Sequence, residues 1–123
     1  MWTLLTEAEH LGRWFGDAGA RVELRPGGDM VVSWSRWGDR RAVVETVQPP
    51  WRFAFRWAHP ADEAPRPGNS TLVEFTLHTD GAGTLLRVVE TGFASLDAEH
   101  DGALDGNQEG WRQELAELRE YAA

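Results

Sequence analysis

Glu90 is the polar residue of this sequence with the most consequential placement. Residues 84–91 alternate in character, and the alternation that puts Leu86 and Val88 on one side carries Glu90 to the same apolar side. A carboxyl group facing an apolar cavity has its pKa raised, and it can pass a proton or anchor a ligand. Periodicity leaves a plainer reading open, in which the strand has ended and Glu90 reaches solvent. Arg36 extends the face formed by Met30, Val32 and Trp34, where it would partner Glu90 or clamp a ligand carboxylate.

The surroundings of these two residues are aromatic. Trp51, Phe53, Phe55 and Trp57 recur at every second position, so one strand presents four rings on one face. Neighbouring strands add Trp34, Val44, Phe75, Leu86 and Val88, and helical segments add Trp14, Trp111 and Leu115. The chain has 7 Trp and 5 Phe but 1 Tyr, more indole than closing a small core requires. Rigid rings either fill a core or wall a cavity, and both readings stand at this point. The candidate ligand-binding set is Trp14, Trp34, Arg36, Phe53, Phe55, Trp57, Phe75, Val88, Glu90, Trp111 and Leu115, with Glu90 the candidate catalytic group.

Other chemistries find little support. His10, His59, His78 and His100 lack metal-ligand spacing, and surface or loop positions account for them. GxSxG, P-loop and GxGxxG motifs are missing. Asp97, Glu99, Asp101, Gly102 and Asp105 imitate a calcium loop. However, Gln108 stands where the closing glutamate belongs, with Glu109 one place later, and no entering helix precedes the run. An acidic stretch before a helix N-terminus explains it as well. No metal and no cofactor are expected.

At 123 residues the chain is the size of one domain, 1–123. Zero cysteines exclude disulfides and thiolate chemistry. The formal charge of −8, with arginines scattered, disfavours nucleic acid and anionic membranes as partners. No signal-peptide pattern and no run of about 18 apolar residues occur, so a cytoplasmic location is expected.

The elements that must position these residues follow from periodicity and punctuation. Thr6 with Glu7 and Glu9 reads as the start of a short helix carrying Ala8, Leu11, Trp14 and Phe15, ending near Gly16. Strands are expected at 20–25, 30–35, 41–47, 51–58, 71–77 and 84–91. Their turns lie at Pro26-Gly27-Gly28-Asp29, Gly38-Asp39, Pro49-Pro50 and Asp80-Gly81-Ala82-Gly83, with a long loop at 59–69. Leu104, Trp111, Leu115, Leu118 and Ala122 then mark an amphipathic C-terminal helix. Strand runs with helices only at the ends argue for an α+β domain on one antiparallel sheet.

In order, Trp2-Thr3-Leu4-Leu5-Thr6, Trp14-Phe15-Gly16, Pro26-Gly27-Gly28, Gln48-Pro49-Pro50, Phe55-Arg56-Trp57, Ser70-Thr71-Leu72-Val73, Gly83-Thr84-Leu85-Leu86, Thr91-Gly92-Phe93 and Gly110-Trp111 resemble the START-like (SRPBCC) superfamily. Within it they are similar to the branch related to the activator of the heat-shock-protein-90 ATPase. The resemblance implies a helix-grip fold: a curved antiparallel sheet of about six strands around a long C-terminal helix, with an elongated cavity between them. Members bind apolar small molecules, and some catalyse cyclisation. The family's first strand has no counterpart before Trp2, which implies either a truncated start or a second chain, as in a homodimer, on the exposed sheet edge.

Three functions follow as expectations. The first is a binding protein for an apolar small molecule, using the cavity between sheet and helix. The second is a cyclase- or dehydratase-like enzyme with the same cavity. The third, a chaperone-interaction module, rests on the resemblance alone.

Overall fold

The period-two hydrophobic pattern builds six strands that pair in sequence order, each antiparallel to the next: β1 (Ala20–Val22), β2 (Asp29–Trp34), β3 (Gly38–Gln48), β4 (Arg52–Ala58), β5 (Ser70–Asp80) and β6 (Gly83–Thr91). Two short helices, α1 (Trp2–Thr6) and α2 (Ala8–Trp14), precede the sheet, and the long α3 (Ala103–Ala122) follows it. This computed structural model describes residues 1–96 and 103–122, with α3 side chains described from Gly110 onward. The acidic run weighed above as a cation loop, including His100, therefore lies outside the described residues and side chains. The architecture is the expected α+β helix-grip arrangement, a curved sheet with one helix across its inner face.

Alternation decides which side chains reach that inner face. Met30, Val32, Ala42, Val44, Phe53, Phe55, Trp57, Val73, Phe75 and Leu77 form one buried cluster with Leu5, Leu11, Trp14 and Phe15. From α3, Leu118 is buried in it, and Trp111, Leu115 and Tyr121 pack against it. The outer face carries cross-strand ion pairs instead. Arg52 meets Glu74, and Arg56 Nε lies 3.2 Å from Glu45 Oε1. A register shift between Val44 and Thr46 puts a bulge in β3, a device that bends a strand and increases its twist.

Several local expectations are corrected. Thr6 does not cap the second helix. Its hydroxyl turns back to donate to Trp2 O at 2.9 Å, and Glu7, extended at φ −91° and ψ 132°, separates two short helices. The first strand stops at Val22 because Arg25 and Gly28 fold into a turn, with Gly28 N donating to Arg25 O at 2.9 Å. Trp51 does not join the aromatic face. The Pro49-Pro50 turn holds it outside β4 and leaves it 55% exposed.

Gly16 is where the helical pair closes against the sheet. A Cβ there would lie 2.5 Å from Ser33 O and 2.8 Å from Val32 Cγ1. Ser33 O cannot retreat freely, since it also accepts from the amides of Asp17 and Ala18. Gly16→Ala is therefore expected to lower stability by about 2–3 kcal/mol, measured as a shifted urea midpoint with unchanged slope.

Candidate functional site

Three adjacent strands bring one polar group together. Trp57 on β4 pairs directly with Thr71 on β5, and Glu90 on β6 pairs with Val73, two residues along β5 from Thr71. All three side chains point to the inner face, so Glu90 and Thr71 are diagonal neighbours within reach of each other. The Glu90 side chain is 4% exposed. Its Oε2 accepts from Trp57 Nε1–H at 2.9 Å and from the Thr71 hydroxyl at 2.5 Å. Its Oε1 accepts from Trp111 Nε1–H of α3 at 2.7 Å. The carboxylate thus ties two sheet strands to the helix.

His59 extends this network. Its Nε2 lies 2.8 Å from Thr71 Oγ1 and 3.7 Å from Glu90 Oε2. Thr71 has one hydroxyl proton, which it donates to Glu90 Oε2, so it accepts from His59 and His59 Nε2 carries a hydrogen. The chain runs His59 to Thr71 to Glu90.

Arg40 lies beyond the Trp57 ring, its Cζ 3.4 Å from the ring centroid, and its Nε donates to Ala58 O at 3.0 Å. Burial lowers its pKa to about 10 while the Glu90 charge pushes the other way, so it remains a cation near neutral pH. Among the described residues, its buried Nη2 finds no hydrogen-bond partner.

Of these groups, Arg40, His59, Trp57 and Trp111 border a cavity of about 730 Å³ between the sheet and α3 that is partly open to solvent. Trp34, Trp37 and Trp111 supply its accessible aromatic surface, with Phe15 and Trp57, 2% and 3% exposed, packed beneath it, and Arg13, Arg36, Arg40, His59, Glu114 and Glu117 are among its polar residues. The rings brace one another. Phe15 stacks on Trp57 at 5.5 Å and on Trp111 at 5.3 Å, and meets Trp34 edge-on at 5.2 Å. Such mutual contact fixes wall shape before any ligand arrives. On α3, burial raises the Glu114 pKa to about 8, with help from Glu117 and Asp17 and against the Trp34 indole. Its buried Oε2 likewise finds no hydrogen-bond partner among the described residues.

The expected residues divide between this cavity and the core. Trp34, Arg36, Trp57 and Trp111 line the cavity. Phe53, Phe55 and Phe75 are fully buried core, and Trp14, whose indole donates to Leu4 O at 2.6 Å, packs with them. Val88 and Leu115 pack against that core. Glu90 sits behind the cavity wall, engaged by three donors. Arg36 is not its partner, because the chain turns after Trp34 and leaves Arg36 exposed over Trp37, 4.7 Å from the ring centroid. The cation near Glu90 is Arg40 instead.

Phe15, Arg40, His59 and Glu114 were absent from the expected set. His59 stands in a loop as expected, yet its side chain is only 9% exposed. Signals for two of them existed. The inner alternation of β3, read backwards from Val44 and Ala42, reaches Arg40, and the series Phe53, Phe55, Trp57 reaches His59 one step later. Among the described residues, no group of three His, Cys, Asp or Glu side chains could hold a metal ion.

Comparison with known proteins agrees with this architecture. The chain is similar to MLL2253 from Mesorhizobium loti, with a TM-score of 0.78 and 23% identity over 97% of this chain and 83% of that one. Ms6760 from Mycobacterium smegmatis gives a TM-score of 0.75 and 19% identity over 99% and 81%. DynU16, a protein of the dynemicin biosynthetic locus, gives 0.75 and 21% over 98% of this chain and 41% of its own length. At these identities the likeness establishes the fold. No curated protein matches the sequence. The family model described as Activator of Hsp90 ATPase homolog 1-like protein matches residues 1–123, and the chain belongs to that family.

Proposed function

We propose that this protein binds an apolar, aromatic small molecule in the cavity between the sheet and α3. The observation that carries the reading is the cavity itself. Its volume of about 730 Å³ falls within the range of roughly 300–1,000 Å³ that ligand pockets occupy. Braced indole rings wall it, and a few polar groups converge on it, as orientation of a small ligand requires.

Thermal unfolding with a panel of bicyclic and tricyclic aromatic compounds tests the reading. A ligand present at about 100 times its Kd adds about 2.7 kcal/mol of stability, a rise of roughly 10 °C for a chain of this size. At least one compound of the panel is expected to raise Tm in proportion to the logarithm of its concentration. A flat response across the panel would reject the reading.

A further inference from the structure

The outer face of the sheet pairs its charges across β3, β4 and β5, where Arg56 meets Glu45 and Arg52 meets Glu74, each one strand away. Across β1, β2 and β3 that matching stops. The register aligns Arg21 with Val31 and Val31 with Arg41, so two arginines flank one valine in a single row. The adjacent row, Val22, Met30 and Ala42, turns inward to the core, so this one faces outward. Both arginines are exposed, and among the described residues neither has an ion-pair or hydrogen-bond partner. The row lines a second cavity of about 500 Å³, partly open to solvent and bordered also by Ala64 and Pro65 of the loop after β4. It shares no residue with the cavity beneath α3.

We propose that this outer cavity binds a linear aliphatic dicarboxylate, one carboxylate on each guanidinium and the methylene chain over Val31. Neighbouring strands lie about 4.8 Å apart, so the two arginine backbones stand about 10 Å apart with the valine midway. A guanidinium donates two parallel N–H bonds to a carboxylate, and a row of cation, apolar group and cation complements a molecule with an anion at each end. Two acids also border the cavity. Glu23 is engaged by Arg25, at 2.9 Å. Asp29, two residues from Val31 on the same face, forms no ion pair among the described residues, so it weakens the site without occupying it. With that charge nearby and a formal charge of −8 on the chain, the expected Kd is on the order of 1 mM and rises with salt. The site is independent of the binding function proposed above.

The test titrates adipate, and hexanoate as the single-carboxylate control of equal length, into isotopically labelled protein at pH 7 and low ionic strength. Saturable shifts of the Val31 amide and of the Arg21 and Arg41 side-chain N–H signals are expected, with adipate about fivefold tighter than hexanoate, as one further partly exposed ion pair allows. Arg21→Gln and Arg41→Gln are each expected to reduce adipate to the affinity of hexanoate, and Asp29→Asn to tighten it about twofold. All three positions are exposed, so the variants keep the fold, and unchanged signals from the buried core check this. Equal affinities for the two acids, shifts that bypass Val31, or adipate binding unaltered in either arginine variant would overturn the proposal. Weaker binding by Asp29→Asn would also overturn it, because the acid would then belong to the site.

Discussion

Glu90→Ala is expected to destabilise the protein by about 3 kcal/mol, lowering Tm by roughly 10 °C. The substitution leaves the Trp57 and Trp111 indole N–H groups and the Thr71 hydroxyl without their acceptor in a site where the glutamate side chain is only 4% exposed. Each stranded donor costs about 1–3 kcal/mol if water cannot reach it. Against that stands relief from burying a carboxylate, which amounts to several kcal/mol for an isolated ion. Here three donors and the nearby Arg40 cation have already offset most of it. The loss of donors' partners therefore wins. Glu90→Gln, which keeps one accepting oxygen, is expected to cost about half as much. Since Glu90 joins β4 and β5 to α3 through these bonds, indole hydrogen exchange at Trp111 should accelerate in the alanine variant. An alanine variant as stable as the parent would show that the network does not hold the helix to the sheet.

Glu114→Gln is expected to act in the opposite direction. Burial, aided by the charges of Glu117 and Asp17, raises the Glu114 pKa from 4.5 to about 8, and the Trp34 indole offsets only part of the shift. Between those two values the folded protein holds a proton that the unfolded chain has released. Stability from this group is thus complete below about pH 4.5 and is lost as pH rises toward 8. Because the side chain borders an open cavity, solvent screening reduces the effect well below the full shift, to roughly 1–2 kcal/mol. The glutamine variant cannot ionise, so it should be more stable than the parent at pH 8, with Tm roughly 5 °C higher, and nearly equal to it at pH 4.5. Parallel Tm curves across that range would show that Glu114 ionises as freely in the folded chain as in water.

The sheet was legible in the sequence because its inner face alternates without interruption. Phe53, Phe55 and Trp57, or Val73, Phe75 and Leu77, leave one choice of register once a single face is buried. The long helix followed from its apolar spacing, and the orientation of Glu90 from Leu86 and Val88. The division between core and cavity was not legible. Phe55 and Trp57 occupy equivalent positions in the pattern and both are buried, yet Phe55 is closed in by Phe53 and Phe75 while Trp57 lies under Arg40 at the edge of the cavity. That difference depends on where α2 and α3 cross the sheet, and periodicity within one strand carries no information about it. Arg36 and Arg40 were exchanged for a related reason. Continuing the β2 face past Trp34 ignored the turn at 35–37, whereas β3 begins three residues earlier than its apolar pattern and so includes Arg40. Trp51 failed similarly, since two prolines set its backbone before the strand begins.

The central claim is that ligand occupies the space bounded by Trp34, Trp57 and Trp111, and the indole N–H resonances of the seven tryptophans test it most directly. On titration with 2-naphthoate, the signals of Trp34, Trp57 and Trp111 are expected to shift together and saturate at one equivalent. Trp14, buried and bonded to Leu4 O, and Trp51, exposed beyond the proline turn, should remain in place. Shifts confined to Trp51, which is exposed and does not line the cavity, would mean adhesion to the surface and would contradict binding between the sheet and α3.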